Sequence, residues 1–272
     1  MEIIRHYACL ANEELYDFFN RNKISFHQDE IAGKHRVYFD VLESDAFFPE
    51  LMNIALSDCI VTKKVKYSKK EITNAQWLTC TPVTAKVNLA NQEKTFVVSE
   101  EYDAGKAHHR TLSGMPFYVS KPVAHTANQH FFASYEATNQ LFCTEHAKST
   151  LQKMDLPISF DAVLNSKTEL PIGDLYAVRI HCVLPPGALD LSNSEEMFVC
   201  PVCGFETFLP PLPLKVRGKF MEGAPGICRT EAVFGWGGNY AAPITIISHE
   251  VYLLLADNHF VRGLKLEPIS LI

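Results

Sequence analysis

The residues whose types and spacing come closest to chemistry are Cys200-Pro-Val-Cys203-Gly204. Two thiolates two residues apart can hold one zinc ion. A glycine after the second cysteine lets the backbone turn so that its amides face the sulfurs. A tetrahedral site needs four ligands, and the chain contains no second CxxC. Cys182, His181, Cys228, or the Cys143/His146 pair at CxxH spacing are the candidates to complete it. The competing reading is a hairpin turn that keeps both cysteines without metal. A redox CxxC fits less well, because such motifs sit where a strand passes into a helix. This one lies between the strand-like stretches MFV and FETF.

Other candidates weaken on inspection. His249-Glu250 opens like a metalloprotease helix, but position 253, where the second histidine belongs, is Leu253. Glu145 and Glu250 fall in the first turns of expected helices, where acidic side chains complement the helix dipole. Gly235-Trp236-Gly237-Gly238-Asn239-Tyr240 has neither the Lys-Ser/Thr of a phosphate loop nor GxGxxG spacing. It reads as a loop presenting Trp236 and Tyr240, aromatics suited to contact a protein partner or, if buried, to anchor a core. Five lysines within Lys63–Lys70 read as a solvated strand with gatekeeper charges rather than as an anion site, and Ser68 with Glu71 forms a capping-box pattern. No GxSxG is present. His108 and His109 cluster with Lys106 and Arg110. An enzyme assembled from His108, His109, Cys143 and His146 stays open as the alternative reading.

The elements that must position these residues repeat. Ile244–Ser248 reads as a strand, Ser248 as the N-cap of a helix starting at His249, and Leu264–Ile269 as a returning strand. About a hundred residues earlier, Leu141–Cys143, Thr144, Glu145–Met154 and Ile158–Val163 write the same unit. Thr144 aligns with Ser248, Leu151 with Leu255, and Ile158/Phe160 with Leu264/Leu266 after a two-residue insertion. Fainter versions occupy the N-terminal part. One runs Ile3–Tyr7, Asn12, Glu13–Asn20, Ile24–Phe26. The other runs Val37–Leu42, Ser44, Pro49–Leu56, Val65/Tyr67. The stretches Trp77–Leu89, Lys94–Ser99, Pro116–Val123, His130–Tyr135 and Leu175–Val183 are β-rich. Leu209–Leu214, with three prolines in six residues, is a stiff extended arm. The expected fold class is therefore α+β: mixed or antiparallel sheets with short helices, built on a repeated strand–cap–helix–strand unit.

With 272 residues, 47% of them apolar, the chain can bury one large core or two medium ones. The expected domains are 1–124 and 125–272, divided near Lys121–Asn128, with the knuckle in the second. No apolar run approaches the roughly 20 residues that span a bilayer, and the N-terminus has no signal-peptide pattern. The expectation is a cytoplasmic protein whose scattered cysteines are mostly reduced and buried. Residues 1–124 carry 15 Lys+Arg against 16 Asp+Glu, whereas 125–272 carry 10 against 15. The acidic second half argues against nucleic acid as its ligand and suits a basic partner.

From Cys200 onward, the CPVCG knuckle, the Leu/Pro segment, the Gly-aromatic loop and the terminal ITIISHEVYLLLADNHFVRGLKLEPI block resemble the double-CxxCG family and related bacterial immunity proteins of polymorphic toxin systems. The likeness covers about 75 C-terminal residues and the matching block at 141–163. It implies an immunity protein that neutralises a cognate toxin by direct binding, with Cys200 and Cys203 carried over as zinc ligands. Only one CxxC is present here, so the family's paired knuckle is not reproduced. A zinc-stabilised structural protein with unrelated partners is the third reading.

Overall fold

Two hydroxyl residues fix where strands turn into helices in the larger part of the molecule. Thr144 ends one strand and caps the helix that follows, accepting the Ala147 N–H at 3.4 Å. Ser248 does the same for Val251, also at 3.4 Å. In both caps the backbone is extended, so the chain leaves the sheet without a loop. The architecture is that of a computed structural model describing residues 1–83, 85–90, 96–98, 110–112, 116–120, 129–134, 140–192, 197–199, 206–234 and 242–272. The fold is α+β. The chain divides into two compact units, Met1–Glu71 and Ile72–Ile272.

The N-terminal unit runs β1 (Glu2–Leu10), α1 (Glu13–Asn22), β2 (His27–Ile31), β3 (Lys34–Leu42), α2 (Phe48–Leu51), β4 (Ile60–Lys66). Its sheet has the order β2-β3-β1-β4, all antiparallel. Two β-α-β units thus interlock, each flanking a strand of the other, which is the ferredoxin-like arrangement. Asn12 caps α1 by accepting the Leu15 N–H at 2.8 Å. The second unit differs from expectation: α2 follows Phe47 with no side-chain cap, and Pro49 in its first turn sets the helix start instead of Ser44. Alternation along the strands sends Tyr7, Cys9, Val37, Phe39 and Val41 to one face, where Leu15, Phe18, Phe19 and Leu51 of the helices cover them.

Cys9 and Cys59 in this unit are joined as a disulfide, where the sequence reading has most cysteines reduced. The register explains the meeting. Ala8 pairs with Ile60, so Cys9 and Cys59 occupy the next cross-strand position, with Cα atoms 4.1 Å apart. α3 (Lys69–Asn74) follows, opened by the expected capping box: Glu71 N–H donates to Ser68 Oγ at 3.2 Å and Ser68 N–H to the Glu71 carboxylate at 2.8 Å.

The second unit contains β5 (Trp77–Pro82), β6 (Ala85–Val87), β7 (Leu89–Ala90), β8 (Phe96–Val98), β9 (Arg110–Leu112), β10 (Tyr118–Val119), β11 (Phe131–Ser134), β12 (Phe142–Thr144), α4 (Glu145–Leu151), β13 (Ile158–Asn165) and β14 (Pro171–Ile180). It continues with β15 (Met197–Val199), β16 (Glu206–Phe208), β17 (Lys215–Val216), β18 (Ile227–Phe234), β19 (Ala242–Ser248), α5 (His249–Asp257), β20 (Leu264–Pro268) and β21 (Ser270–Leu271). A seven-stranded sheet has the order β6-β11-β12-β14-β13-β10-β7 and a six-stranded sheet the order β15-β16-β18-β19-β5-β20. β5 and β6, which precede residue 124, are hydrogen-bonded into the same sheets as strands that follow it. The compact division therefore falls at Glu71/Ile72 rather than near 124. No helix among the described residues is long and apolar enough to cross a membrane.

The repeat is larger than the sequence indicates, and its register is kept. β11-β12-β14-β13 in one sheet corresponds strand for strand to β18-β19-β5-β20 in the other. Thr144 lies opposite Leu175 and Ser248 opposite Trp77; Phe160 lies opposite Val178 and Leu266 opposite Cys80. Each cap's own N–H donates to the equivalent carbonyl, Thr144 to His130 at 3.1 Å and Ser248 to Gly226 at 2.8 Å. At Gly226 an added Cβ would come within 3.0–3.2 Å of the Val251, Leu156 and Ser248 side chains, which would have to give by a few tenths of an ångström. Both helices enter one cluster: Ala147 and Leu151 meet Val251, Tyr252 and Leu255, with Cys143, Phe131, Ile227, Ile247, Leu78 and Phe260 around them. The opposite sheet faces are also buried, one around Phe132, Phe142 and Val163, the other around Cys228, Ile244, Ile246 and Leu214. Residues 209–214 form no strand, as their prolines require, and Leu214 is buried in that last cluster.

Ser248→Ala should lower stability by about 1 kcal/mol in urea denaturation. Thr144→Ala should cost more, because Thr144 Oγ1 also lies 3.0 Å from His130 Nδ1 and is buried.

Candidate functional site

Cys200 and Cys203 belong to the connection between β15 and β16, Trp236 and Tyr240 to that between β18 and β19, and His108 and His109 to that between β8 and β9. All six lie outside the described residues. The candidates that are described do not assemble into a reaction centre. Cys143 is fully buried, and burial holds its thiol far above the ordinary range, so it is not a nucleophile. His146, three residues on, is exposed on α4. Its ring meets Phe260 edge-on at 5.1 Å and His130 at 5.3 Å. His249 is tied to the backbone, its Nδ1 3.2 Å from the Ala75 carbonyl.

Two of the candidate ligands do come together. Cys182 and Cys228 are free thiols on neighbouring stretches, where Arg229 N–H donates to the Cys182 carbonyl at 2.9 Å and Val183 pairs with Arg229 in parallel. Burial, reinforced by the neighbouring Cys182, pushes the Cys228 thiol up to about 12. Among the described residues no group of three or more His, Cys, Asp or Glu side chains could hold a metal ion.

Beside this pair lies a groove of about 520 Å³, bounded by Leu184, Leu189 and Leu191 on one wall and by Phe208, Ala232 and Val233 on the other. Glu206, at the start of β16, and Glu231, on β18, stand at its rim. Both are exposed, and neither has an ion-pair partner among the described residues. β16 and β18 run parallel, with Phe208 opposite Phe234, which brings the two carboxylates onto adjacent strands. Apolar walls under two exposed carboxylates can take a long side chain with an apolar stem and a cationic tip.

A second concavity, of about 640 Å³, lies within the N-terminal unit where β2 begins. Two cross-strand pairs face it. His6 lies opposite Asp40, with Nδ1 2.5 Å from Oδ1, and His27 lies opposite Tyr38, with ring centroids 6.1 Å apart. Lys23, Phe26 and Phe47 complete the lining. The sequence reading missed this cleft because its members are spread from residue 6 to residue 47. The alternation of Tyr38 and Asp40 along β3 was the available signal, and it needed the pairing of β1 with β3 to become a site.

Comparison of the chain with protein-family models gives no match, and comparison with curated proteins gives none either.

Thiol accessibility distinguishes these cysteines. In the native protein, iodoacetamide should modify half-buried Cys182 ahead of Cys80, Cys143 and Cys228, all three of which burial protects; mass spectrometry of the labelled peptides reads the order. Of these four, raising the pH to 9 should speed Cys182 alone, since thiols pushed up to about 12 or beyond stay protonated there.

Proposed function

We propose that this chain is a protein-binding module, an immunity protein that neutralises a cognate bacterial toxin by direct binding. The observation that carries the reading is the groove rimmed by Glu206 and Glu231. Its apolar walls supply contact area, and its carboxylates, without an ion-pair partner among the described residues, suit a basic partner, as the acidic composition of residues 125–272 does. The CPVCG knuckle and the terminal strand–Ser–helix–strand block support it through their resemblance to the double-CxxCG immunity proteins. Trp236 and Tyr240 are the aromatic contacts in this reading. They sit in the connection leading from β18, whose Ala232 and Val233 line the groove. An acidic face speeds association with a basic toxin and places Lys or Arg tips in the groove.

Co-expression with the product of the adjacent gene tests the reading: the wild-type chain should rescue growth and co-purify with that product. The double charge reversal Glu206→Lys/Glu231→Lys should weaken the complex tenfold or more, about 1.4 kcal/mol. Absence of rescue and of any complex removes the reading.

Zinc belongs to the same proposal, with Cys200 and Cys203 as thiolate ligands. Its support is the pair of free thiols: Cys228, on β18 of the sheet that carries β15 and β16, and Cys182, on the stretch hydrogen-bonded beside it. Zinc stabilises a thiolate cluster by binding only the folded arrangement. Metal analysis of the purified chain should find one zinc per molecule, lost in Cys200→Ser and in Cys203→Ser; a metal-free wild-type protein would refute the assignment.

A further inference from the structure

The geometry points to a nucleotide site in the N-terminal unit: the cleft of His6, Lys23, Phe26, His27 and Tyr38 binds a phosphorylated nucleoside, with its base on the aromatic surface and its phosphate on the Lys23 ammonium. Three features carry this. First, the cleft offers ring surface that nothing in the unit covers. Phe26 remains 39% exposed, although its other side is stacked on Phe19 at 4.6 Å, and Tyr38 is half-buried beside the His27 ring. Rings held from behind and open in front are platforms for a planar ligand.

Second, Lys23 is the left-handed C-cap residue of α1, with φ 54°. That conformation turns the chain at the cleft, and its ammonium has no ion-pair partner among the described residues. Third, the His6 ring is oriented. Asp40 engages Nδ1 at 2.5 Å, which leaves Nε2 as the nitrogen for a ligand. The two acidic neighbours are already engaged, Asp40 by His6 and Asp29 by His27 Nε2 at 2.9 Å. Their free oxygens are acceptors for ribose hydroxyls or base amino groups. A volume of about 640 Å³ admits one nucleotide.

A free nucleotide and an unpaired nucleotide of a single strand present the same chemistry, so the test uses both. The full-length protein is titrated by calorimetry with AMP, adenosine, inorganic phosphate and a single-stranded RNA hexamer. The expected result is one saturable AMP site per chain, with adenosine and phosphate each at least tenfold weaker. Tyr38→Leu, which keeps packing and removes the ring, and Lys23→Ala, on the surface, should each weaken AMP tenfold or more. Lys148→Ala, in the other unit, should leave it unchanged. An RNA hexamer bound at least tenfold tighter than AMP, with the same sensitivity to Tyr38 and Lys23, identifies a strand as the source; otherwise the source is the free nucleotide. The inference is overturned if neither AMP nor the RNA saturates at millimolar concentration. It is equally overturned if phosphate binds as well as AMP, or if both variants stay folded by circular dichroism and bind undiminished.

Discussion

The core shared by two register-matched sheets is the constraint on which the larger unit depends. In each copy a strand ends in a hydroxyl residue, the hydroxyl caps a short helix, and the helix presents a small apolar stripe: Ala147 and Leu151 in one, Val251 and Leu255 in the other. A helix of two or three turns has too little intrinsic stability to stand alone. Its stripe must be buried, and the stripe of the other copy, with the facing sheets, is what buries it. Helix position, sheet spacing and register are thereby fixed together. The close approach at Gly226 is where the fit is tight.

How much of this was legible follows from how local each signal is. The caps at Thr144 and Ser248 were readable because a hydroxyl, an acidic first turn and a helical apolar period fall within ten residues. The returning strands were readable from the alternation of Ile158/Phe160 and Leu264/Leu266. The middle strand of the second copy was readable as a strand but its place was not, because β5 reaches β19 and β20 from the far end of the unit, and nothing in Trp77–Pro82 names its partner. Distance in sequence hid the Cys9–Cys59 bridge in the same way: each cysteine reads alone as a small apolar residue until β1 and β4 are paired. Ser44 failed as a cap because Pro49 already sets the helix start, so the backbone had no need of a side-chain acceptor.

The candidate surfaces lie where the regular structure stops. The groove forms where β16, only three residues long, meets the end of β18, and the cleft forms where β2 begins against β3. Both follow from strand ends of unequal reach. The two large sheets are committed to packing on both faces, whereas the N-terminal sheet is covered by helices on one face only and carries His6, Tyr38 and Asp40 on the other. This is why Glu206, Glu231, His6 and Lys23 can remain polar and open without cost to the cores beneath them, and why the fold alone does not dictate what they recognise.

The two copies differ in the source of their middle strand, and this gives the chain a direction in time. In the first copy β14 directly follows β13, so β11 to β14 is finished once residue 180 has left the ribosome. In the second, β5 is made early, whereas its neighbours β19 and β20 follow only after the whole first copy. Every strand of the first copy therefore precedes both partners of β5 in the chain, and the core that both copies share can close only after β19 and β20 have been made.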